Sequence, residues 1–252
     1  MYSNKIKDID ELQNQINFYR PFKKKFVDNL KEYFRIGLTY TSNAMEGNSL
    51  TETETKIILE DGLTVAGKPV RDHLEALGHS QAYDLLYKLA KNNEIKEQDI
   101  LKLHKLFYYH IDIKNAGKYR KQQVFITGTE FVPPAPKLVP ELMKKLINSM
   151  ILMRQELHPI EFAAVLHKEL VSIHPFVDGN GRAARLIMNL ALLQQSYVVT
   201  IIPPILRTDY ISLLKRAQVE PKDDKPFINF ISTMVYESQK DYLRMIRSFY
   251  EK

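Results

Sequence analysis

The sequence contains no cysteine. This absence excludes a disulfide framework, a cysteine-ligated zinc site and a cysteine nucleophile, and it fits a reducing compartment. Long apolar runs are also missing, since no stretch reaches the ~18 apolar residues that a membrane span needs. The first residues, MYSNKIKDIDELQ, are polar and lack the apolar core of a signal peptide. We therefore expect a cytoplasmic protein without a membrane partner.

No internal repeat, low-complexity tract or convincing linker divides the 252 residues. Charged residues make up 26% of the chain and hydrophobic residues 44%, which is typical of a globular protein with a sizeable core. The net charge of +6 favours anionic partners such as nucleic acid, phosphate-bearing small molecules or acidic proteins. Because the basic residues are dispersed and no recognition-helix pattern is present, we do not expect nucleic acid as the partner.

Apolar residues recur at helical spacing along nearly the whole chain and predict an all-α, mainly helical fold. The expected helices cover about 8–20, 22–46, 51–62, 72–91, 96–110, 138–156, 159–173, 182–195, 207–219 and 225–248. Thr51 and Glu54 form a capping box at the start of the third of these, and Gly62 is its natural end. Residues 118–132 break the pattern, and their two short apolar runs around Gly128 predict one small β-hairpin.

A polar loop, HPFVDGNGRAAR at 174–185, joins two apolar helical segments. Gly179 and Gly181 permit positive φ and leave backbone N–H groups uncovered, so that they can bind an anion. The next helix begins in this loop, and its amino terminus favours negative charge. Arg182 and Arg185 share one side of the first helical turn, and guanidinium groups suit phosphate oxygens. The loop is therefore predicted to bind a phosphate-bearing ligand.

Two further side chains in the loop suggest catalysis. Asp178 is an acid among phosphate-binding groups, where it could hold Mg²⁺ against the phosphates. His174 is placed to take a proton from an attacking hydroxyl. Each feature alone has an ordinary explanation as a turn, a surface arginine or a structural histidine. Their coincidence in one short loop indicates an active site.

The loop resembles the motif of the Fic family, His-Pro-Phe-x-(Asp/Glu)-Gly-Asn-(Gly/Lys)-Arg-x-x-Arg, at every specified position. The similarity extends over roughly 35–220 and implies a helical fold that transfers AMP from ATP to a Ser, Thr or Tyr hydroxyl of a protein. It implies His174 as the general base and Asp178 as the ligand of Mg²⁺, with Mn²⁺ as an alternative. The nucleotide and its phosphates would be bound by Gly179, Asn180, Gly181, Arg182 and Arg185.

The resemblance also gives the hairpin a role. Leu103–Phe107 and Gly117–Arg120 look like the family's approach to its flap, which holds the target segment in extended form by strand pairing. The flap residues are Val124, Phe125, Ile126 and Thr127. Tyr210 and Asn189 are candidates for an adenine pocket, while a core aromatic and a helix brace stay open as the alternatives.

A second motif, Ser42-Asn43-Ala44-Met45-Glu46-Gly47, precedes the core. Ser42 and Glu46 lie four residues apart on one helix face, which alone would fit a solvent-exposed acid. The pattern Ser-x-x-x-Glu-Gly resembles the inhibitory motif of Fic proteins. It implies that Glu46 pairs with Arg185 at the position of the ATP γ-phosphate and keeps the resting protein weakly active. Some relatives with such a glutamate also remove AMP, and this activity stays open here.

We divide the chain into an amino-terminal helical extension (1–34), a Fic core (35–220) and a carboxy-terminal helix packed on that core (221–252). The expected partners are ATP and a protein substrate of unknown identity, and a homodimer stays open. One alternative is transfer of another nucleotide or of phosphate, although phosphate-transferring relatives tend to have lysine at the position of Gly181. The other is a non-catalytic regulatory or DNA-binding module, which the intact His174 and Asp178 argue against.

Overall fold

Ten α-helices form most of the chain in the computed structural model, which describes residues 2–126, 129–219 and 223–251. In chain order they are α1 (Ile6–Phe18), α2 (Lys24–Ala44), α3 (Glu52–Lys56), α4 (Val70–Leu89), α5 (Glu97–Tyr108), α6 (Val139–Glu156), α7 (Pro159–Ile173), α8 (Asn180–Gln194), α9 (Arg207–Val219) and α10 (Lys225–Tyr250). The predicted all-α fold is confirmed. None of the helices in these ranges has the length and apolar character needed to cross a bilayer.

The helices α7 and α8 form the centre of the molecule. Almost every residue of α8 is buried, because its sequence is apolar on all sides after the polar first turn. It contacts α7, α4, α5 and α2, while α7 also packs against α6, α9 and α10. The connection between these two central helices is the polar loop, so its position is fixed from both sides by the core.

The ends of α3 follow the local sequence signals. Thr51 Oγ1 accepts a hydrogen bond from Glu54 N at 3.2 Å, and Glu54 Oε2 accepts one from Thr51 N at 2.7 Å, which confirms the predicted capping box. A π-helical turn (Ile57–Asp61) continues α3, and Gly62 ends it in the left-handed region at φ 65°. This short segment connects the end of α2 to α4 and so keeps both near the polar loop.

The predicted β-hairpin is not formed by the described residues of the region 118–132, which contain no strand. Thr127 lies outside the described residues. Side chains take backbone groups that a strand ladder would use, since Gln123 Nε2 donates to Val124 O at 3.3 Å and Thr129 Oγ1 accepts from Phe131 N at 3.1 Å. Pro133 and Pro134 have no N–H to donate in return. The described part of this segment is therefore irregular, and its backbone N–H and C=O groups are not paired in a strand ladder.

Candidate functional site

The polar loop is closed by its own side chains. Asn180 Oδ1 accepts a hydrogen bond from Phe176 N at 2.9 Å, and Asn180 Nδ2 donates to Phe176 O at 3.0 Å. Phe176 is fully buried and stacks on His104, with ring centroids 3.7 Å apart. Asn180 thus braces the loop through its side chain, which leaves only its backbone N–H for a ligand.

His104 on α5 holds the loop at a second point. Gly117 N donates to His104 Nδ1 at 2.9 Å, so the ring proton is on Nε2, which lies 3.0 Å from Asp178 O and donates to it. Burial lowers the pKa of His104 to about 4, so the ring is neutral. The sequence places His104 in the apolar pattern of its helix, which is typical of a structural histidine. Its bond to the loop could not be seen in the spacing.

The loop ends at the amino terminus of α8, where backbone N–H groups have no intrahelical acceptor. Gly179 is the N-cap with φ 79°, and no side chain in the described part of the chain caps this end. A Cβ on Gly181 would collide with Glu46 Oε1. The absence of a side chain at 181 therefore lets a carboxylate approach the anion-binding end of α8.

Glu46 and Arg185 form an ion pair at this point. Glu46 Oε1 lies 2.6 Å from Arg185 Nη2. Arg185 also donates from Nε to Ser42 Oγ and from Nη2 to Ser42 O, each at 2.9 Å. Burial opposes the charge of Arg185, but Glu46 and Tyr210 together raise its pKa above the usual value. The structure thus brings Ser42, Glu46 and Arg185 together.

His174 follows the end of α7 and lines the same site. Its Nδ1 lies 3.3 Å from Val171 O, which assigns the ring proton to Nδ1 and leaves Nε2 as a proton acceptor. Burial lowers the pKa of His174 to about 4. The imidazole is therefore neutral near pH 7, which is the form a general base requires.

A cavity of about 230 Å³ joins these residues, and Glu46, His174 and Gly181 all line it. Its wall also includes Met45, Ile126, Thr129, Val171, Arg207, Tyr210, Ile211, Leu214, Lys215 and Gln218. Sites for small molecules usually measure roughly 300–1,000 Å³. The cavity is small for a nucleotide because the Glu46 carboxylate projects into it.

Tyr210 and Gln218 are two of the residues that α9 contributes to the wall. Tyr210 OH lies 3.0 Å from His167 Nε2 and 3.5 Å from Arg185 Nη1. Gln218 Nε2 is buried and has no hydrogen-bond partner among the described residues. The sequence analysis missed Gln218, because a glutamine late in an amphipathic helix gives no signal. Its unpaired amide marks a place where a polar ligand group would be favoured.

Asn189 does not line the cavity. It is fully buried, and its Oδ1 accepts from Thr200 N at 2.7 Å. Its Nδ2 donates to Arg185 O at 3.0 Å and to Thr200 O at 3.1 Å. These bonds occupy both N–H groups of the amide, so neither is left for the adenine contact that the sequence suggested. Asn189 braces α8 against the segment that follows it, which was the alternative left open by the sequence.

Asp178 is half exposed beside the loop. Its Oδ1 accepts from Gly179 N at 2.6 Å, and its Oδ2 lies 3.1 Å from Arg71 Nη2. The described residues contain no group of three or more acidic or histidine side chains able to hold a metal ion. A single accessible carboxylate beside a phosphate-binding helix end nevertheless fits Mg²⁺, which takes one or two carboxylates together with substrate phosphates.

Arg182 lies beneath the loop and is not among the residues that line the cavity. Its side chain is 1% exposed, and its Nη1 lies 3.1 Å from Glu75 Oε1. Its Nη2 is 3.7 Å from Asp178 Oδ2, and its guanidinium lies 5.1 Å from the centre of the Phe107 ring. In this arrangement Arg182 is paired with Glu75 and lies close to Asp178, and its contact with the phosphates stays a prediction. Arg71 and Glu75 complete the network, and neither was identified from the sequence.

The flap residues border the cavity unevenly. Ile126 and Thr129 line it, whereas Phe125 is 82% exposed and points to solvent. Val124 is half buried. The structure therefore brings the end of the expected docking segment to His174, without pairing that segment to another strand within the described residues.

Residues 94–192 match the Fic/DOC family model. Curated relatives from Drosophila willistoni and Nematostella vectensis, both named "Protein adenylyltransferase Fic", are 38% identical to this chain over 208 residues. The matched region is 81% of this chain, but 41% and 48% of the two relatives. The chain thus spans less than half the length of these relatives.

Two solved structures resemble this chain over nearly its whole length. A Fic domain containing signaling protein from Bacteroides thetaiotaomicron has a TM-score of 0.88 and 26% identity, covering 95% of this chain and 97% of that one. Fic-1 from C. elegans has a TM-score of 0.84 and 28% identity, covering 96% of this chain and 72% of that one. With the complete loop motif and the matching helical core, these similarities show that the chain contains a Fic/DOC domain, matched over residues 94–192.

Proposed function

We propose that this protein is a protein adenylyltransferase, which moves AMP from ATP to a Ser, Thr or Tyr hydroxyl of another protein. The observation that carries the proposal is that a neutral His174 and the uncapped amino terminus of α8 line one cavity together with Glu46, the partner of Arg185. The names of the curated relatives support the same activity.

The loop would supply positioning and charge. The triphosphate would lie against the backbone N–H groups of Gly179, Asn180 and Gly181, with its γ-phosphate on Arg185. His174 Nε2 would take the proton of the target hydroxyl while the hydroxyl oxygen attacks the α-phosphorus of ATP. The bond to the β-phosphate would break, and pyrophosphate would leave. Catalysis would come from orientation and charge neutralisation.

Asp178 is the residue that would hold Mg²⁺, or Mn²⁺, together with the phosphates. The metal would neutralise charge on the departing pyrophosphate when bound. Arg182 and Glu75 support this role from below, because Arg182 lies within 3.7 Å of Asp178 and is itself fixed by Glu75 at 3.1 Å. We accordingly assign Arg182 an indirect part in phosphate binding, through Asp178.

Glu46 would inhibit the enzyme by occupying Arg185. A carboxylate 2.6 Å from the guanidinium stands where the γ-phosphate would bind, and its position against Gly181 obstructs the end of α8. ATP would then bind out of line for attack. Removal of AMP by the same glutamate, through a positioned water, stays open.

The test is transfer from α-labelled ATP to proteins of a cell lysate. We expect label with Glu46→Gly and none with Glu46→Gly/His174→Ala. α-Labelled GTP, UTP and CTP, together with γ-labelled ATP, separate AMP transfer from transfer of another nucleotide or of phosphate. Equal labelling by the two variants, or label only from γ-labelled ATP, would refute the proposal.

We also propose the division of the chain at 34/35 and 220/221. It is supported by contacts of α1 with α10 and of α10 with α7 and α9, which place the terminal helices together on the core. The cytoplasmic location and the homodimer stay predictions from the sequence.

A further inference from the structure

Arg120 lies between the flap and the catalytic loop. It is only 2% exposed, and its guanidinium donates to three backbone carbonyls. The bonds run from Nε to His174 O at 2.8 Å, from Nη1 to Gln122 O at 3.1 Å and from Nη2 to Pro134 O at 2.5 Å. Its own N–H donates to Pro175 O at 2.9 Å. One residue thus joins three separate parts of the main chain.

The charge of Arg120 has no carboxylate partner among the described residues. Burial lowers its pKa below the usual arginine value, which shows that the site disfavours the cation. A buried guanidinium with carbonyls as its only partners is costly when compared with a neutral side chain. Such an arrangement is expected where the fixed fork of donors is needed, because no other side chain can reach three carbonyls in a plane.

The backbone that Arg120 holds is strained. His174 has φ 52° and ψ 59°, a left-handed conformation that non-glycine residues rarely adopt. It also precedes Pro175, and a proline restricts the residue before it to extended conformations. Strained residues persist only where the surroundings fix them. Arg120 bonds to the carbonyls of both His174 and Pro175, so it supports the bend that aims the imidazole.

The same guanidinium also fastens both ends of the flap. Gln122 lies before the flap residues and Pro134 after them, and no strand ladder holds the described residues between them. We propose that Arg120 is a positioning residue that fixes the target-holding segment and the backbone of the base His174 as one unit. The proposal rests on the proposed transferase function and deepens it. A target lying along the flap would then present its hydroxyl at a set distance from His174.

The first experiment needs no catalysis. Hydrogen–deuterium exchange is measured on the full ligand-free chain with Arg120→Lys and Arg120→Gln. Lysine keeps the charge but cannot bond three carbonyls at once. We expect faster exchange in both 122–135 and 171–176. The control is Arg154→Gln, which removes a half-buried arginine that bonds to Gln194 and lies 4.6 Å from the Phe162 ring on another part of the core. It should change neither segment.

A second variant loosens the flap without touching Arg120. Gln123 is exposed and bonds to Pro133 O, so Gln123→Ala should fold and should speed exchange in the flap alone. Faster exchange at 171–176 in this variant would show that the coupling does not run through Arg120, and would overturn the proposal. Protection of 171–176 in both Arg120 variants would overturn it as well.

The second experiment measures catalysis in the Glu46→Gly background. We expect Arg120→Lys to raise KM for the protein target and to lower kcat by about 10- to 100-fold, the loss caused by misplacing reacting groups by about 1 Å. The Kd for ATP should not change, because the guanidinium does not reach the end of α8. An equal loss of ATP binding would indicate general unfolding and refute the positioning role. If the Glu46→Gly parent transfers no AMP, the proposed function fails, while the exchange result still decides whether Arg120 couples the two segments.

Discussion

Glu46 and Arg185 lie 2.6 Å apart at the first turn of α8, and the guanidinium is almost completely buried. The arginine is also satisfied by the side chain and carbonyl of Ser42. The Nε and both Nη2 hydrogens of Arg185 therefore have acceptors without any nucleotide. A γ-phosphate can bind Nη2 of Arg185 only by displacing the Glu46 carboxylate, which makes this contact the expected control point of the proposed transferase.

Replacing Glu46 should activate the protein. Glu46→Gly removes the competing carboxylate and frees the space beside Gly181, so we expect transfer of α-labelled AMP to rise by about tenfold or more, since each 1.4 kcal/mol corresponds to a factor of ten. The matched control is Glu94→Gly, which removes an exposed acid whose ion partner is Lys96. Equal activity of Glu46→Gly and the wild type would contradict the inhibitory role.

Replacing His174 should abolish transfer without affecting nucleotide binding. In the Glu46→Gly background, His174→Ala removes the proton acceptor, and general-base catalysis contributes typically 10²- to 10⁴-fold. The Kd for ATP, measured by calorimetry, should stay the same because the phosphate-binding groups are untouched. His110→Ala, at an exposed histidine, serves as the control. Substantial transfer by the His174 variant would assign the base to another residue.

Asn189 and Gln218 should respond in opposite ways to alanine substitution. Asn189→Ala removes the hydrogen-bond partners of the backbone N–H and C=O of Thr200, at a cost of about 1–3 kcal/mol for each unsatisfied group. It should therefore lower the free energy of urea unfolding.

Gln218→Ala should instead weaken ATP binding by roughly three- to tenfold, the value of one hydrogen bond of about 0.5–1.5 kcal/mol. Its stability should change little, because its Nε2 has no partner to lose among the described residues. If ATP affinity falls for folded Asn189→Ala but not for Gln218→Ala, then Asn189 contacts the nucleotide and Gln218 does not.

Arg71 should compete with the metal for Asp178. Arg71 Nη2 lies 3.1 Å from Asp178 Oδ2, so Arg71→Gln should reduce the Mg²⁺ concentration needed for ATP binding. The effect should stay below about fivefold, because exposed ion pairs contribute at most about 1 kcal/mol. Arg244→Gln breaks a comparable surface pair with Asp241 on α10 and is the control. A higher Mg²⁺ requirement in Arg71→Gln would show that Arg71 binds phosphate.

Acid should destabilise the fold through its buried histidines. Burial lowers the pKa of His79 and His167 to about 3, and that of His104 and His174 to about 4. The unfolded chain takes up these protons near the ordinary pKa of about 6.5, so the stabilisation is complete above that pH and is lost as the pH falls toward 4.

Each of these histidines contributes up to about 1.4 kcal/mol of lost stability for each pH unit in this range. The free energy of urea unfolding should therefore differ less between pH 7.5 and pH 5 for His79→Gln than for the wild type. His110→Gln should leave the difference unchanged, because this ring is exposed. If the free energy of unfolding changes between these two pH values as much in His79→Gln as in the wild type, the contribution of His79 is refuted.

Helix positions and the catalytic loop followed from local properties of the sequence. The 3.6-residue spacing of apolar side chains, the capping box at Thr51 and the stop at Gly62 act between near neighbours, so they could be predicted without tertiary contacts. The loop at 174–185 could be identified for the same reason, since its glycines, acid and arginines are consecutive.

Contacts between distant segments were decided only by the tertiary structure. The bond from His104 to Asp178, the pairing of Arg182 with Glu75 and the reach of Arg120 depend on how helices far apart in sequence pack. The hairpin failed as a prediction because a strand ladder needs two sets of free backbone groups, and nearby side chains take a group from each expected strand. Local pattern determined which segments carry the chemistry, and packing decided which side chains reach the cavity and which support it from behind.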